Sequence, residues 1–331
     1  MADANRERLI SFVLPAVDEA ESIAELVPEI CATADASSLT IEVILVDDGS
    51  RDATWSRIAE AARADPRVRG IRFRRNFGKA AALMAGFRAA VGEIVFTLDA
   101  DLQDDPKEIP RFLAKIDEGY DSVSGWKRRR HDPWHKVFPS RAFNLLVSAI
   151  TGLRLHDHNC GFKCHRAAVL EEIHVYGELH RFVPVLAHAR GFSVAELEVH
   201  HRPRVHGQSK YGVKRFVKGF LDLLTVKFLT GYGQRPLHLL GTVGLLAFGI
   251  GGLGLAWLAG FWIVQRFAEQ PQSIGNRPLL LYSLGAVLLG AQFLSIGFLA
   301  ELLTAHGMRD EDAYSIVEET GVMREKDNPN P

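Results

Sequence analysis

Residues 237–264 contain no Asp, Glu, Lys or Arg, and residues 279–300 form a second run of the same kind. As helices rising about 1.5 Å per residue they extend roughly 42 and 33 Å, enough to cross a hydrocarbon core of about 30 Å. Uncharged runs of this length are rare as buried helices of water-soluble folds. The chain is therefore predicted to carry two transmembrane helices, at about 237–264 and 279–303. Gly241, Gly244, Gly249, Gly251, Gly252 and Gly254 crowd the first span. In lipid such residues let helix backbones approach closely, and a homo-oligomer is expected, a tetramer among the states considered.

Two spans return the chain to the side from which it entered, so the N-terminal region and the C-terminal tail share a compartment. Lys210, Lys214, Arg215, Lys218, Lys227 and Arg235 precede the first span, whereas the connecting loop offers only Arg266 and Arg277. That bias predicts a cytoplasmic N-terminal region on the inner (plasma) membrane. Between Lys210 and Gly231, apolar Val213, Phe216, Val217, Phe220, Leu224 and Phe228 follow a helical period, with Lys210, Lys214 and Lys218 on another face. The pattern suits a helix lying in the membrane interface, the alternative being an amphipathic helix packed on the soluble region. The predicted organisation is a domain at 1–209, juxtamembrane amphipathic helices at 210–235, the two-helix hairpin at 236–303, and a cytoplasmic tail at 304–331.

The first 200 residues alternate short apolar segments with helical ones. Residues 9–14 (LISFVL), 41–46 (IEVILV), 68–73 (VRGIRF) and 93–98 (EIVFTL) read as buried strands, separated by helical patterns near 23–34, 53–64 and 79–91. Strand–helix–strand succession predicts an α/β fold with a mostly parallel sheet flanked by helices, and ligands bind such sheets beyond the carboxyl ends of the strands. Those ends carry PAVDEAES, DDGSRDAT, RRNFGKAAAL and DADLQDDP. The first turn lacks the GxGxxG of a dinucleotide site, which excludes a Rossmann-type cofactor pocket. An acidic crevice that holds a diphosphate needs a divalent cation between the two sets of negative charge, and Asp99 and Asp101 offer oxygen ligands suited to Mg²⁺ or Mn²⁺.

PAVDE, VDDGSRDAT, NFGKAAAL and DADLQDDP, in this order and at these strand ends, resemble the GT-A fold glycosyltransferases of family 2, from about Leu9 through Lys210. The later segments SGWKRRR, SRAFN, DHNCGFKCHR, HRFVP and RPRVHGQSKYG resemble the dolichol-phosphate mannose and polyprenyl-phosphate glucose synthases within it. The resemblance implies nucleotide-sugar contacts from Pro15, Glu19, Asp47, Asp48, Lys79, Asp99, Ala100, Asp101, Gln103 and Arg202. Asp47 would read the base, and Asp99 and Asp101 would hold the metal. The sequence departs from the family at Val17 and Asp18, where PAVDE replaces the more usual Pro-x-Tyr-Asn-Glu and removes an aromatic residue.

The same resemblance implies a polyprenyl phosphate acceptor held at Lys127, Arg128, Arg130, Lys136, Ser140, Arg141, Arg181, Ser209 and Lys210. Arginine forks suit phosphate oxygens, and 127–130 is the densest basic run in the chain. The implied reaction is an inverting displacement at the anomeric carbon, giving a lipid-linked monosaccharide for later glycosylation of cell-envelope glycans. A phosphate monoester, with a second pKa near 6, hardly needs a general base. Asp157 matches an aspartate facing the reaction centre, as base or acceptor orienter, with turn capping as its alternative. The expected donor is a uridine diphosphate hexose such as UDP-glucose, with GDP-mannose second.

His156, His158, Cys160, Cys164 and His165 also invite a zinc reading, but their spacing fits no common zinc module, and Phe162 and Lys163 keep the glycosyltransferase pattern. A processive polysaccharide synthase would show a QxxRW motif and more spans. A noncatalytic membrane scaffold would not need Asp99, Asp101, Lys79 and Arg202 together. A net charge of −1 gives no field to draw nucleic acid, and one basic run is too little for a nucleic-acid binder. Three cysteines and the polar start MADANRERL fit a reducing compartment without a signal peptide.

Overall fold

The computed structural model describes residues 8–128, 134–173, 175–202, 214–232, 235–267, 275 and 277–307, with backbone only at 134–142, 214–218, 220, 229, 232 and 305–307. The chain divides into two compact units, Met1–Thr230 and Gly231–Pro331.

The first unit is built on one seven-stranded sheet of order β3-β2-β1-β4-β6-β5-β7. β1 (Leu9–Ala16), β2 (Thr40–Asp47), β3 (Val68–Arg72) and β4 (Ile94–Thr97) are parallel, as the strand–helix alternation predicts. β6 (Lys163–Arg166) enters antiparallel to both β4 and β5 (Ser122–Trp126), and β7 (Val194–Glu198) pairs parallel with β5. Helices α1 (Ala20–Ala36), α2 (Thr54–Ala64) and α3 (Lys79–Ala89) supply the crossovers between β1 and β4.

Central β1 is covered on both faces, which explains its unbroken apolar run in place of an alternating one. Ile10, Phe12 and Leu14 join the cluster under α1, α2 and α4 (Ile109–Asp117), where Phe12 stacks on Phe96 at 5.0 Å between ring centroids. Val13 points the other way, into a cluster with α3, α5 (Trp134–Thr151), α6 (Ala167–Glu172) and α7 (Val183–Ala189). Each such buried side chain contributes roughly 1.5–3 kcal/mol relative to leaving it in water.

α8 (Lys214–Tyr232) gives the amphipathic segment a protein-facing side: Leu223 and Val226 are fully buried with Val147 of α5, and Lys227 Nζ donates to the Ile150 carbonyl at 3.0 Å. Leu224, on the face expected to meet lipid, is exposed together with Leu221.

The second unit is an antiparallel hairpin of α9 (Pro236–Gln265) and α10 (Pro278–Gly307). Stretches Pro236–Gln265 and Pro278–Thr304 are long and apolar enough to cross a membrane. Only 17% and 11% of their most apolar windows are buried, which a core helix of a soluble protein would not show. Any Cβ on Gly244, Gly251 or Gly290 would meet the opposing backbone, so these glycines set the closeness of the two helices.

Candidate active site

Parallel pairing brings the carboxyl ends of β1, β2 and β4 to one edge, with Ala16 opposite Asp47 and Asp47 opposite Arg72. The VDDG turn after β2 is a clamp. Asp48 accepts hydrogen bonds from the Phe77 and Gly78 amides at 2.6 and 2.9 Å, and its own amide donates to the Ala16 carbonyl at 2.9 Å. Gly49 sits at φ +72°, and a Cβ there would collide with the Arg75 backbone. The clamped loop ends at Gly78, φ +97°, and releases Lys79 as the first residue of α3. Lys79 Nζ is ion-paired with Asp99.

Asp99, Ala100 and Asp101 form the turn after β4. Leu102 behind them takes φ +62° while almost fully buried, a strained backbone for a non-glycine residue and one found where a turn aims functional groups. Burial disfavours a charge on Asp99, but the Lys79 ammonium beside it, with Lys127 and Lys163 farther off, outweighs this and holds its carboxyl well below the usual carboxylate range. The Gly161 backbone closes in from below: Thr97 Oγ1 donates to the Gly161 carbonyl at 2.9 Å, and a Cβ on Gly161 would strike the Asp99 carboxylate.

Asp99 and Asp101 lie on a seam between two spaces. On one side is an open cleft of about 400 Å³ reached by Pro15, Glu19, Asp48, Lys79 and Ala100. On the other is a cavity of about 330 Å³ whose wall includes Gln103, Lys127, Asp157, Lys163 and Arg181. Pro15, Lys79, Asp99 and Asp101 border both. Among the described residues no group of three or more His, Cys, Asp or Glu could hold a metal ion. Two carboxylates are the donor set that Mg²⁺ or Mn²⁺ uses when the remaining ligands are water and substrate phosphate oxygens, so Asp99 and Asp101 fit that kind of site.

The other expected residues fall into three groups. Asp157 lines the cavity and also caps its turn, its Oδ1 accepting from the Asn159 amide at 3.1 Å. Arg181 lines the cavity and pairs with Glu178 at 2.5 Å. Lys127 lines it too, bound at 2.7 Å to buried Asp104; burial opposes its charge, but Asp104 more than offsets this and holds its pKa above the ordinary value.

Asp47, Arg128 and Arg202 are engaged elsewhere. Asp47, expected to read the base, has no exposed side-chain surface; its Oδ1 accepts from the Ser50 amide at 2.8 Å and its Oδ2 faces Arg72 at 3.4 Å. It is Asp48 that lines the cleft. Arg202 pairs with Glu29 at 2.8 Å and Asp105 at 2.7 Å, and Arg128 with Glu198 at 3.2 Å, outside the wall of either space. Arg130, Ser209 and Lys210 lie outside the described residues, as do the side chains of Lys136, Ser140 and Arg141 on α5.

The structure brings to the cavity residues outside the expected nucleotide-sugar and phosphate sets: Asn159, Lys163, His165, which the sequence offered only as a zinc ligand, and His180. The signal for two of them is the period of two in Lys163-Cys164-His165 on β6, which sends Cys164 into the core and its neighbours to the cavity face. Burial lowers Lys163 to about 8 and His165 to about 3. The zinc reading has no geometric support among the described residues: His158 Nε2 meets Ser148 Oγ at 3.0 Å, and His165 Nδ1 meets Ser122 Oγ at 2.9 Å.

Residues 11–173 match Glycosyl transferase family 2. The chain is 36% identical over 309 residues to a dodecaprenyl-phosphate galacturonate synthase of Rhizobium johnstonii, covering 91% of this chain and 89% of the relative. It is 36% identical over 304 residues to an undecaprenyl-phosphate 4-deoxy-4-formamido-L-arabinose transferase of Salmonella paratyphi A, covering 92% and 90%. A glucosyl-3-phosphoglycerate synthase from Mycobacterium tuberculosis, solved with Mn²⁺, UDP and phosphoglyceric acid, shares the fold at a TM-score of 0.55 and 19% identity, over 67% of this chain and 78% of that one. With a catalytic-type acidic turn, near-full-length relatives and an apolar helical hairpin, the chain belongs to glycosyl transferase family 2 and is a glycosyltransferase.

Proposed function

We propose that the protein transfers a sugar from a nucleoside diphosphate donor to polyprenyl phosphate, with inversion, at the cytoplasmic face of the inner membrane. The observation that carries this is the seam: Asp99 and Asp101 border both the open cleft and the cavity, where a diphosphate must lie if its nucleoside occupies one and its sugar the other. The names of the two relatives support the acceptor, and the apolar hairpin supports its recruitment from a membrane. Glycines 249, 252, 260 and 285, each open to a Cβ, support self-association of the hairpin into a homo-oligomer.

Asp99 and Asp101 would hold Mg²⁺ or Mn²⁺, which when bound neutralises charge on the departing diphosphate. Lys79, presented by the Asp48 clamp, adds a fixed positive charge at the same place. The acceptor phosphate is already ionised near neutral pH, so the protein's contribution is alignment, with Asp157 and Arg181 on the cavity wall as its positioning groups. Lys136, Ser140, Arg141 and the basic segment at 127–130 remain the proposed lipid-phosphate contacts. The donor is proposed to be a uridine diphosphate sugar of hexose type. UDP-glucose is the starting point from the sequence, and the two relatives widen the choice to an acidic and an amino-type sugar.

The test incubates purified protein with undecaprenyl phosphate, Mg²⁺ or Mn²⁺, and a panel of labelled nucleotide sugars, and counts label entering the lipid phase. Metal-dependent transfer of one sugar, lost in Asp101→Ala, is the expected result. No lipid-linked product from any donor would overturn the proposal.

A further inference from the structure

The cavity beyond Asp99 contains polar groups for which the transfer chemistry gives no work. β6 lies between β4 and β5, with Lys163 opposite Thr97 on one side and Ser124 on the other. The alternation of the strand turns Lys163 and His165 to the cavity face. Both are buried, at 5% and 0% exposure.

The Lys and Arg side chains of this wall are not all paired alike. Lys79 is taken by Asp99, Lys127 by Asp104 and Arg181 by Glu178. Lys163 Nζ donates to the Cys160 carbonyl, and among the described residues no carboxylate lies within ion-pair distance of it. An ammonium has three donors, and two remain for a ligand.

Around it stand further side-chain atoms that are buried and without a hydrogen-bond partner: Asn159 Oδ1, His165 Nε2 and His180 Nδ1. Buried polar atoms are nearly always satisfied in folded proteins, and several orphans on one cavity mark the place of a polar ligand. The His165 tautomer in which Ser122 donates to Nδ1 leaves Nε2–H as a donor toward that ligand. At 330 Å³ the cavity falls within the range of about 300–1,000 Å³ usual for small-molecule sites.

Resting on the donor geometry of the proposed function, we propose that this cavity is the donor-sugar pocket and that Lys163 binds a carboxylate on the sugar, making the donor a nucleoside diphosphate uronic acid. Asn159, His165 and His180 take the ring hydroxyls. A neutral hexose would leave the Lys163 charge buried without its partner, the situation that a recognition site discriminates against most strongly.

The test uses the full-length protein in detergent. Binding of UDP-glucose, UDP-glucuronate and UDP-galacturonate is measured by calorimetry without acceptor, and transfer to undecaprenyl phosphate is measured separately. At least one uronate is expected to bind tighter than UDP-glucose by about 10- to 100-fold, the worth of a charged hydrogen bond. Lys163→Met is expected to erase that preference, and an unfolding midpoint close to that of the wild type shows that the variant folds. Lys163→Arg, keeping the charge, is expected to retain most of it. Wild-type protein that transfers glucose and ignores both uronates overturns the inference and leaves the proposed function standing. Absence of transfer from every donor defeats the function itself. A uronate preference that survives in Lys163→Met, or a change confined to the KM for the lipid phosphate, overturns the role given to Lys163.

Discussion

Two acidic turns stand at the same edge of the sheet, Asp47-Asp48 after β2 and Asp99-Ala100-Asp101 after β4, and they spend their charge differently. The first is spent on its surroundings: Asp47 serves Ser50 and Arg72, and Asp48, at the edge of the cleft, ties down the Phe77 and Gly78 amides. The second faces the seam between cleft and cavity, with Asp99 kept ionised by Lys79. The comparison teaches that carboxylates alike in sequence divide into those bound to the surrounding backbone and those left facing the two spaces, according to which backbone amides lie within reach.

The largest effect that could break this contrast is expected from Asp101→Ala. Loss of several kcal/mol of charge stabilisation corresponds to a fall in transfer of about 10³-fold, with the unfolding midpoint nearly unchanged. A large drop in stability instead would place Asp101 with the structural carboxylates. Gly161→Ala presses a methyl group into the Asp99 carboxylate. Displacement by a fraction of an ångström is expected to lower turnover by about 10- to 100-fold, since misplacement near 1 Å can cost 10²-fold. Unchanged kinetics in this variant would show that Asp99 has room to move.

Asp48→Ala should behave in the opposite sense to Asp101→Ala. Losing a buried carboxylate that accepts two amide hydrogen bonds is expected to cost about 2–3 kcal/mol of stability in denaturant titration, with weaker donor binding as Lys79 loses its mooring. Stability within 0.5 kcal/mol of wild type, taken as about the scatter of surface substitutions, would remove the clamp from the account.

A pH test separates groups buried without charge from those buried with it. Burial lowers His158 to about 4, whereas the unfolded chain takes up this proton near 6.5. The unfolded state therefore binds more protons between those values. Stability is complete above pH 6.5 and lost as the pH falls toward 4, at about 1.4 kcal/mol per pH unit for one histidine. His158→Asn should make the stability profile shallower in that window, and an unaltered slope would assign it to other groups.

The smallest effect is expected at Arg128, an exposed partner of Glu198. Arg128→Ala should change stability by less than about 0.5 kcal/mol, leaving any effect in the KM for lipid phosphate. A measurable fall in donor affinity would bring Arg128 to the nucleotide-sugar side, where neither space has it in its wall.

Much of this was legible in the sequence because the signals were local. Four strands and three crossover helices followed from apolar runs and helical periods at 9–98, and the parallel order followed from their alternation. Likewise Pro15, Glu19, Asp48, Lys79, Ala100 and Asp101 were placed by motif order and do converge on one cleft. Arg128 and Arg202 lie outside both spaces because a long flexible side chain goes to whichever carboxylate folding brings near. Arg202 meets Glu29 across 173 positions of sequence, a pairing that no spacing rule contains.

The sequence by itself determined the alternating α/β architecture, the apolar hairpin and the acidic turn at the end of β4, since each is written in residues adjacent along the chain. Tertiary structure alone decided which carboxylates are clamps, and that β6 enters antiparallel against β4. It also decided that Lys163 stands on a cavity wall with no ion pair among the described residues. Those outcomes depend on the distances between groups far apart in the chain, and electrostatic partnership is settled over a few ångströms in space rather than by position along the chain.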